Sequence, residues 1–343
     1  MDTYITYDYE LCMGAKTGTP EGCLVEPMKA LTRMFDRYHI KTTICVDAAY
    51  LLKMDELRHQ YEQVEKDFQT VINHVKELSE AGHSIQLHYH PQWLYAKYID
   101  GKWSLVNDHY KLSDLPLEVQ KQEIEKAILF LNKLTGKKVC AFRAGGFSIE
   151  NFVDIADIFN KYGVKYDMSV LRGAKVVSKY QTYDYTLVPK TTHYHFSDNV
   201  SREDTTGGFV EFPIAVKPLN SIVYSIKRNI FRHLFLRKLK RKFSPERWNN
   251  GVGVGHSGSK SSILLQKVKR LFSTSPLYAS ADGSLVMFLP EVYKYAKQKY
   301  IGRDFVIIGH PKIASPLTIH LLENFIVNHQ TEINFKTIDD YEA

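Results

Sequence analysis

Segments with the apolar pattern of β-strands alternate with segments of helical pattern along the first half of the chain, and the alternation returns near its end. Short connections join consecutive segments, so the sequence predicts a parallel sheet or barrel. Gly136 and Gly163 follow two of the helical segments, as expected of residues that end helices. The predicted strands are 3–8, 40–46, 84–90, 138–143, 164–170, 304–310 and 333–338, and the predicted helices are 26–38, 59–80, 116–134, 149–163, 290–300 and 316–329.

The alternation stops between about residues 172 and 285. This region contains one clear strand, 208–216, a basic segment, and a loop rich in glycine and serine at 251–262. The loop does not match a phosphate-binding loop, because its lysine has the wrong spacing from a second glycine and no strand directly precedes it. We interpret the loop as a flexible connector. We therefore expect a single domain over residues 1–343, with an insertion at about 172–285.

Composition restricts the class of protein. The 343 residues are 44% hydrophobic and 24% charged, as in ordinary globular proteins. No apolar run reaches the roughly 18 residues of a transmembrane helix, and the N-terminal residues do not resemble a signal peptide, so we expect a cytoplasmic location. Four cysteines without a CxxC pair fit neither a dense disulfide framework nor a zinc–cysteine site.

Two histidines end the predicted strand 84–90. His88 and His90 are two residues apart, so their side chains share one face of the strand, with Cβ atoms about 6.5 to 7 Å apart. Both imidazoles could reach one metal ion, because Zn–N bonds are about 2.0 to 2.1 Å long. Considered alone, such a pair is more often two ordinary polar residues, because short motifs have a high false-positive rate.

Other polar residues also lie at the carboxyl ends of predicted strands. In a barrel of parallel strands these ends converge on one face, where such folds assemble their active sites from several loops. Chance could place one or two reactive residues there, but the whole set favours a functional site. The set consists of Asp8, Glu10, His88, His90, Arg143, Asp167 and His310.

The residue types in this set have a specific combined chemistry. Two histidines and one carboxylate are a three-ligand set with open positions, as in catalytic metal sites. Asp8 and Glu10 face the same way, so one can bind the metal while the other accepts a proton. The metal would lower the pKa of bound water toward about 7 and polarise a carbonyl oxygen, and His310 could protonate a leaving amine. The combination predicts hydrolysis of an amide.

In these motifs the chain resembles the polysaccharide deacetylases of the NodB type (carbohydrate esterase family 4), in the variant written LHxHP. The segments TYDYE, LHYHP, FRAGGF and IIGHPK carry the resemblance, which covers most of residues 3–171 and 286–338. The resemblance implies an α/β fold, a distorted (β/α)7 barrel. It also implies metal-dependent removal of an N-acetyl, N-formyl or O-acetyl group from a carbohydrate, in surface glycan biosynthesis.

The resemblance assigns a role to each matching residue. Asp8 is implied as the catalytic base, Arg143 as the residue that holds this base, and His310 as the general acid. The family's motif with Asp and Trp has no good match; Asp167 is a loose candidate, and the residue that orients His310 stays unassigned. The implied metal is one divalent ion, with Zn²⁺ expected and Co²⁺, Ni²⁺ or Fe²⁺ as alternatives. Its implied ligands are Glu10, His88 and His90.

Two other classes of protein are compatible with part of the pattern. Two histidines and a carboxylate also suit the Fe(II) of a non-haem oxygenase. Such iron sites usually occur in jelly-roll folds of short antiparallel strands. The alternation of strands and helices in this sequence argues against that fold. A catalytically inactive, glycan-binding barrel is the other alternative, although binding alone would not need a base, metal ligands and an acid together.

A basic segment lies inside the insertion. Between residues 217 and 247 there are ten Lys or Arg residues and one acid, which more than accounts for the net charge of +7. A solvated basic helix and contact with a membrane surface or an anionic ligand both fit this pattern. Nucleic acid is not expected, because no reading motif accompanies the charge. A lipid-linked sugar at the inner face of a membrane would connect the basic segment with the barrel. The apolar residues near helical spacing are Ile222, Ile226, Ile230, Leu234 and Leu239.

Overall fold

The computed structural model describes residues 1–14, 16–239 and 273–341. The glycine- and serine-rich loop 251–262 and residues 240–247 of the basic segment lie outside the described residues. None of the helices in the described ranges is long and apolar enough to cross a bilayer.

The strands and helices of the described residues follow the predicted alternation. The strands are β1 (Asp2–Tyr9), β2 (Thr43–Asp47), β3 (Ser84–Tyr89), β4 (Lys97–Ile99), β5 (Lys102–Ser104), β6 (Ala141–Ala144), β7 (Tyr166–Asp167), β8 (Lys175–Val177), β9 (Thr182–Asp184), β10 (Tyr194–Phe196), β11 (Phe209–Glu211), β12 (Val216–Asn220), β13 (Thr274–Tyr278), β14 (Asp304–Gly309) and β15 (Asn334–Lys336). The helices are α1 (Glu26–Asp36), α2 (Ala48–Leu57), α3 (Glu62–Glu80), α4 (Leu117–Thr135), α5 (Ala156–Tyr162), α6 (Ser221–Leu239), α7 (Leu289–Lys299) and α8 (Pro316–His329).

One curled sheet forms the centre of the fold. Its strand order is β10-β11-β7-β6-β3-β2-β1-β14, with β15 also paired to β1. The pairs are parallel except β10 with β11, which is antiparallel. Past β11, Ile214 forms an isolated parallel bridge to Val306 on β14, which brings the two sides of the sheet together. The predicted distorted (β/α) barrel is confirmed.

The register of the sheet brings the predicted polar residues to one edge. His88 lies opposite Asp47 on β2 and opposite Arg143 on β6. Asp8 lies opposite Cys45, one pair before the last on the β1–β2 ladder. Because all of these strands are parallel, their carboxyl ends meet at this edge. The central strands are buried on both faces, as is usual for parallel sheets covered by helices.

Some segment boundaries differ from the sequence prediction. The predicted helix 59–80 begins at Glu62, and it is preceded by α2, which the sequence reading missed. Helix α2 follows β2 directly, and no side-chain cap marks its start, so the sequence offers no boundary there. The predicted helix 149–163 is regular only over α5, after a 3₁₀ turn at Phe152–Asp154.

The insertion is also more structured than predicted. Instead of one strand, its described residues contain three antiparallel pairs: β8 with β9, β10 with β11, and β12 with β13. The predicted strand 208–216 divides into β11 and the start of β12, with Pro213 between them; proline has no N–H to donate to a ladder. Beyond β13, Ser280 forms a parallel bridge to Ile308, so the insertion returns to the barrel beside the end of β14.

Candidate active site

Three predicted ligands converge at the carboxyl end of the sheet. Oε2 of Glu10 lies 3.2 Å from Nε2 of His88 and 2.5 Å from Nε2 of His90. One ligand atom from each of the three lies within 4.8 Å of the others, and all three residues are buried. Their geometry therefore matches a three-ligand metal centre of two imidazoles and one carboxylate.

The strand period explains why these side chains converge. Tyr9 and Tyr89 alternate with the predicted ligands and therefore point to the opposite face of their strands. The hydroxyl of Tyr9 lies 2.7 Å from Nδ1 of His74, and the hydroxyl of Tyr89 donates to Glu123 at 3.2 Å. These bonds anchor the outer face of each strand end and leave the inner face to the ligands.

The surroundings of the two histidines support metal binding through Nε2. Nδ1 of His88 donates to the carbonyl of Arg143 at 2.7 Å, which leaves Nε2 free to bind a metal. Nδ1 of His90 is buried and has no hydrogen-bond partner among the residues that the structure describes. Gly145 packs against this ring so closely that a Cβ would lie 2.8 Å from Nδ1 of His90, so this position requires glycine. The donor set thus fits a divalent ion.

The electrostatics of His88 also bear on metal binding. Burial alone would lower the pKa of His88, but the carboxylates of Asp8 and Glu10 outweigh burial and raise this pKa to about 9. A metal binds only the deprotonated imidazole nitrogen. An ion that binds at neutral pH therefore has to displace a proton from His88.

Asp8, the predicted base, lies beside the triad and is held by Arg143. Nη1 of Arg143 donates to Oδ1 of Asp8 at 2.7 Å, and Nε of the same guanidinium donates to the carbonyl of Met168 at 2.9 Å. Burial opposes ionisation of Asp8, but the nearby Arg143 and His88 outweigh burial and lower its pKa. Asp8 is therefore a carboxylate at neutral pH.

His310, the predicted acid, is oriented by Asp282. Nδ1 of His310 lies 2.6 Å from Oδ2 of Asp282, and the backbone N–H of His310 donates to Oδ1 at 2.8 Å. Nε2 of His310 points to the pocket, 3.6 Å from Asp8 and 3.5 Å from Glu10. Burial disfavours the imidazolium, but Asp282 outweighs it, and the pKa of His310 is raised.

Asp167 does not orient His310. The sequence-based suggestion of this role for Asp167 is therefore wrong. Oδ1 of Asp167 accepts the backbone N–H of Ser169 at 2.9 Å, and Oδ2 accepts its hydroxyl at 3.0 Å. The carboxyl of Glu211 is its other partner. Asp167 thus ends its strand in a local side-chain turn with Ser169.

Lys312 is a further residue of the site that sequence reasoning did not identify. Its Nζ donates to Oε1 of Glu10 at 2.6 Å and to the carbonyl of Leu11 at 2.8 Å. Burial raises the pKa of Glu10, but Lys312 and His90 outweigh burial and lower it well below its usual range. The only available signal was the position of Lys312, two residues after His310 in the motif IIGHPK.

A pocket of about 190 Å³ opens over these residues. The base, the triad and the acid form its polar side, and aromatic residues such as Tyr110 and Phe147 form part of its wall. Gln181 from the β8–β9 hairpin and Tyr278 from β13 also line it, so the insertion contributes to the pocket. An acyl group next to a sugar hydroxyl or amine could be enclosed by walls of this kind.

Fold and site together define an α/β barrel with a candidate metal centre, a base and an acid at the carboxyl ends of its strands. Residues 4–166 match the family model described as polysaccharide deacetylase. The match covers just under half of the chain and confirms the resemblance to this family that the motifs predicted.

Several solved structures are similar to the chain at low sequence identity. A protein from Mycobacterium smegmatis assigned to the polysaccharide deacetylases has 11% identity and a TM-score of 0.44, with 97% of this chain and 85% of that chain covered. The catalytic domain of peptidoglycan N-acetylglucosamine deacetylase from Eubacterium rectale has 10% identity and a TM-score of 0.36, with 99% and 90% covered. A mutant of BA3943, a pseudoenzyme of the CE4 family, has 10% identity and a TM-score of 0.38, with 99% and 66% covered. No curated protein sequence matches the chain.

Proposed function

We propose that the chain is a metal-dependent carbohydrate deacetylase that hydrolyses an N-acetyl or N-formyl group, or an O-acetyl ester. The observation that carries this proposal is the convergence of Glu10, His88 and His90 beside Asp8 and His310 around one pocket. A binding protein would not need a metal-ligand set, a base and an acid within reach of one another.

Asp8 is the proposed base. Its carboxylate receives a proton from the water that attacks the acyl carbon, while Arg143 holds the carboxylate in one orientation through the 2.7 Å bond. Because Arg143 is fully buried and is also anchored to a backbone carbonyl, the pair cannot rotate away from the pocket without leaving a buried charge unpaired.

His310 is the proposed acid. Its raised pKa favours the imidazolium, and Asp282 directs Nε2 into the pocket. When the bond between the acyl carbon and the amine nitrogen breaks, Nε2 gives its proton to that nitrogen, so the products are a carboxylic acid and a free amine. Nε2 lies 3.6 Å from Asp8, so the proposed acid and the proposed base face the same pocket.

Glu10, His88 and His90 are the proposed ligands of one divalent ion, with Zn²⁺ expected. Such an ion would polarise the acyl oxygen and make water a better nucleophile near neutral pH. The protein contributes the position of the three ligand atoms and the burial that strengthens their interaction with charge.

A panel of acylated sugars would test the proposal: polymeric, nucleotide-linked and lipid-linked substrates, with release of acetate or formate measured. Activity that disappears with a chelator and returns with a divalent ion is the expected result. Tight binding of sugars without release of an acid by the metal-loaded protein would instead indicate the glycan-binding alternative. Oxygen consumption with Fe²⁺ would indicate an oxygenase.

A lipid-linked aminosugar in surface glycan biosynthesis is the proposed substrate class, with the protein at the cytoplasmic face of a membrane. Helix α6 supports this part, because Ile222, Ile226, Ile230 and Leu234 follow one another at four-residue intervals and are 38% to 68% exposed. Basic residues follow in the sequence, and each would contribute about 1 kcal/mol near an anionic surface.

Vesicles with anionic lipid would test the membrane contact by sedimentation at low and high salt. We expect salt-sensitive binding that is lost when the basic residues are changed to Gln, since screening and charge removal weaken the same attraction. Absence of binding at low salt would contradict a membrane-side substrate. The residues to change are Arg237, Lys238, Lys240, Arg241 and Lys242.

A further inference from the structure

The two carboxylate oxygens of Glu10 have different partners. Oε2 faces the histidines, at 3.2 Å from His88 and 2.5 Å from His90. Oε1 accepts a 2.6 Å bond from Nζ of Lys312, which also donates to the carbonyl of Leu11 at 2.8 Å. The carboxylate is therefore fixed in one orientation, with only Oε2 directed at the other two ligands.

Lys312 is well placed to maintain this arrangement. It lies in the 3₁₀ turn Pro311–Ile313 and is itself buried, so water does not compete for its ammonium group. Two oxygen acceptors restrain its long side chain on the side of Glu10 away from His88 and His90. It is not among the residues that line the pocket, so it acts on the site through Glu10 rather than on a substrate.

The charge of Lys312 has a consequence for metal binding. An ammonium group and a divalent ion that share one buried carboxylate repel each other, and this repulsion is weakly screened away from water. This repulsion reduces the free energy that is gained when an ion binds.

We propose that Lys312 is a positioning residue that restricts Glu10 to one coordinating oxygen and weakens the binding of the divalent ion. This inference rests on the proposed metal centre of Glu10, His88 and His90. A ligand restricted to one oxygen leaves one more coordination position for water and the acyl oxygen. It also donates less charge, which preserves the ability of the ion to polarise a carbonyl.

Lys312→Met tests the proposal, because methionine keeps most of the length and removes the charge. We expect the metal-free variant to bind Co²⁺ or Zn²⁺ at least about tenfold more tightly than the wild type in competition with a chromophoric chelator. With Glu10 free to coordinate through both oxygens, the visible absorption of the Co²⁺ form should weaken, as expected for a higher coordination number. Lys312→Arg, which keeps the charge, should restore affinity and spectrum toward the wild type.

Lys53→Met is the matched control. Lys53 is also a buried lysine with a 2.7 Å bond to a glutamate, Glu56, but it lies on α2 outside the site. This variant should leave the affinity and the Co²⁺ spectrum unchanged. If Lys312→Met does not fold by circular dichroism, Lys312→Gln keeps a donor for the carbonyl of Leu11 without the charge and takes its place.

The outcomes separate this inference from the proposed function. Equal or weaker ion binding by the uncharged variants would overturn the role of Lys312, while the metal centre itself would stand if the wild type binds one ion. No ion binding by either the wild type or the uncharged variants would overturn both proposals. Tighter binding together with a changed Co²⁺ spectrum supports the proposal.

Discussion

Replacement of Asp282 by Asn should change the pH dependence of the proposed reaction as well as its rate. Asp282 makes two hydrogen bonds to His310, at 2.6 and 2.8 Å, and the two side chains are only 12% and 20% exposed. A hydrogen bond to a charged group contributes about 1.5 to 3 kcal/mol, so loss of the charge-assisted bond should lower kcat by about 10- to 150-fold.

The direction of the pH effect follows from the role of His310. As a general acid it acts in its protonated form, so activity falls as the pH rises through its pKa. Asp282 raises this pKa against the effect of burial. Asn keeps the shape but not the charge, so the pKa of His310 should fall, and the alkaline limb of the profile of kcat against pH should move to lower pH.

Asp304→Asn is a matched control for this experiment. Asp304 pairs with Nδ1 of His193 at 2.7 Å in a contact of similar geometry, at the opposite end of β14. This variant should leave the alkaline limb in place. An alkaline limb that does not move in Asp282→Asn, or that moves equally in both variants, would refute the assignment of His310 as an acid oriented by Asp282.

Four further predictions concern the metal centre, the base and the acid. His88→Ala or His90→Ala should lose the bound ion, measured as metal per chain by elemental analysis. Asp8→Asn and His310→Ala should keep the ion but lose about 10²- to 10⁴-fold in turnover, because each removes a proton-transfer group. Ion affinity of the wild type should rise with pH up to about 9, where His88 loses its proton, in titrations at several pH values. Arg143→Met should lower the free energy of unfolding by about 3 to 5 kcal/mol in urea, because it leaves the Asp8 carboxylate buried without its partner.

The sequence predicted those parts of the site that depend on local periodicity. Glu10, His88 and His90 follow strand patterns that are visible in short windows, and parallel strands bring their ends to one face whatever the intervening chain does. The same reasoning placed Asp8 and His310 at this face. For these residues, the type of secondary-structure element and the position of the residue within it were sufficient to predict the location of the side chain.

Residues that depend on long-range contacts escaped prediction. Asp282 precedes His310 by 28 residues and reaches it because Ser280 bridges to Ile308, a pairing that no local pattern indicates. Lys312 lies beside a recognised motif, but only the folded turn shows that its side chain reaches back to Glu10. Helix α2 was missed for a different reason, since it follows its strand with no sequence signal at the junction.

Because the insertion returns to β14, it is an integral part of the proposed active site and cannot be removed without changing that site. A shortened chain that joins residue 171 to residue 286 would retain the segments that resemble the family, yet its histidine at the end of β14 would have lost Asp282. It would also lack Gln181 and Tyr278, which the insertion contributes to the lining of the pocket. Engineering of a minimal version should therefore begin by transplanting residues 279–283 and their bridge to β14, so that the carboxylate is supplied to the histidine before any other part of the insertion is removed.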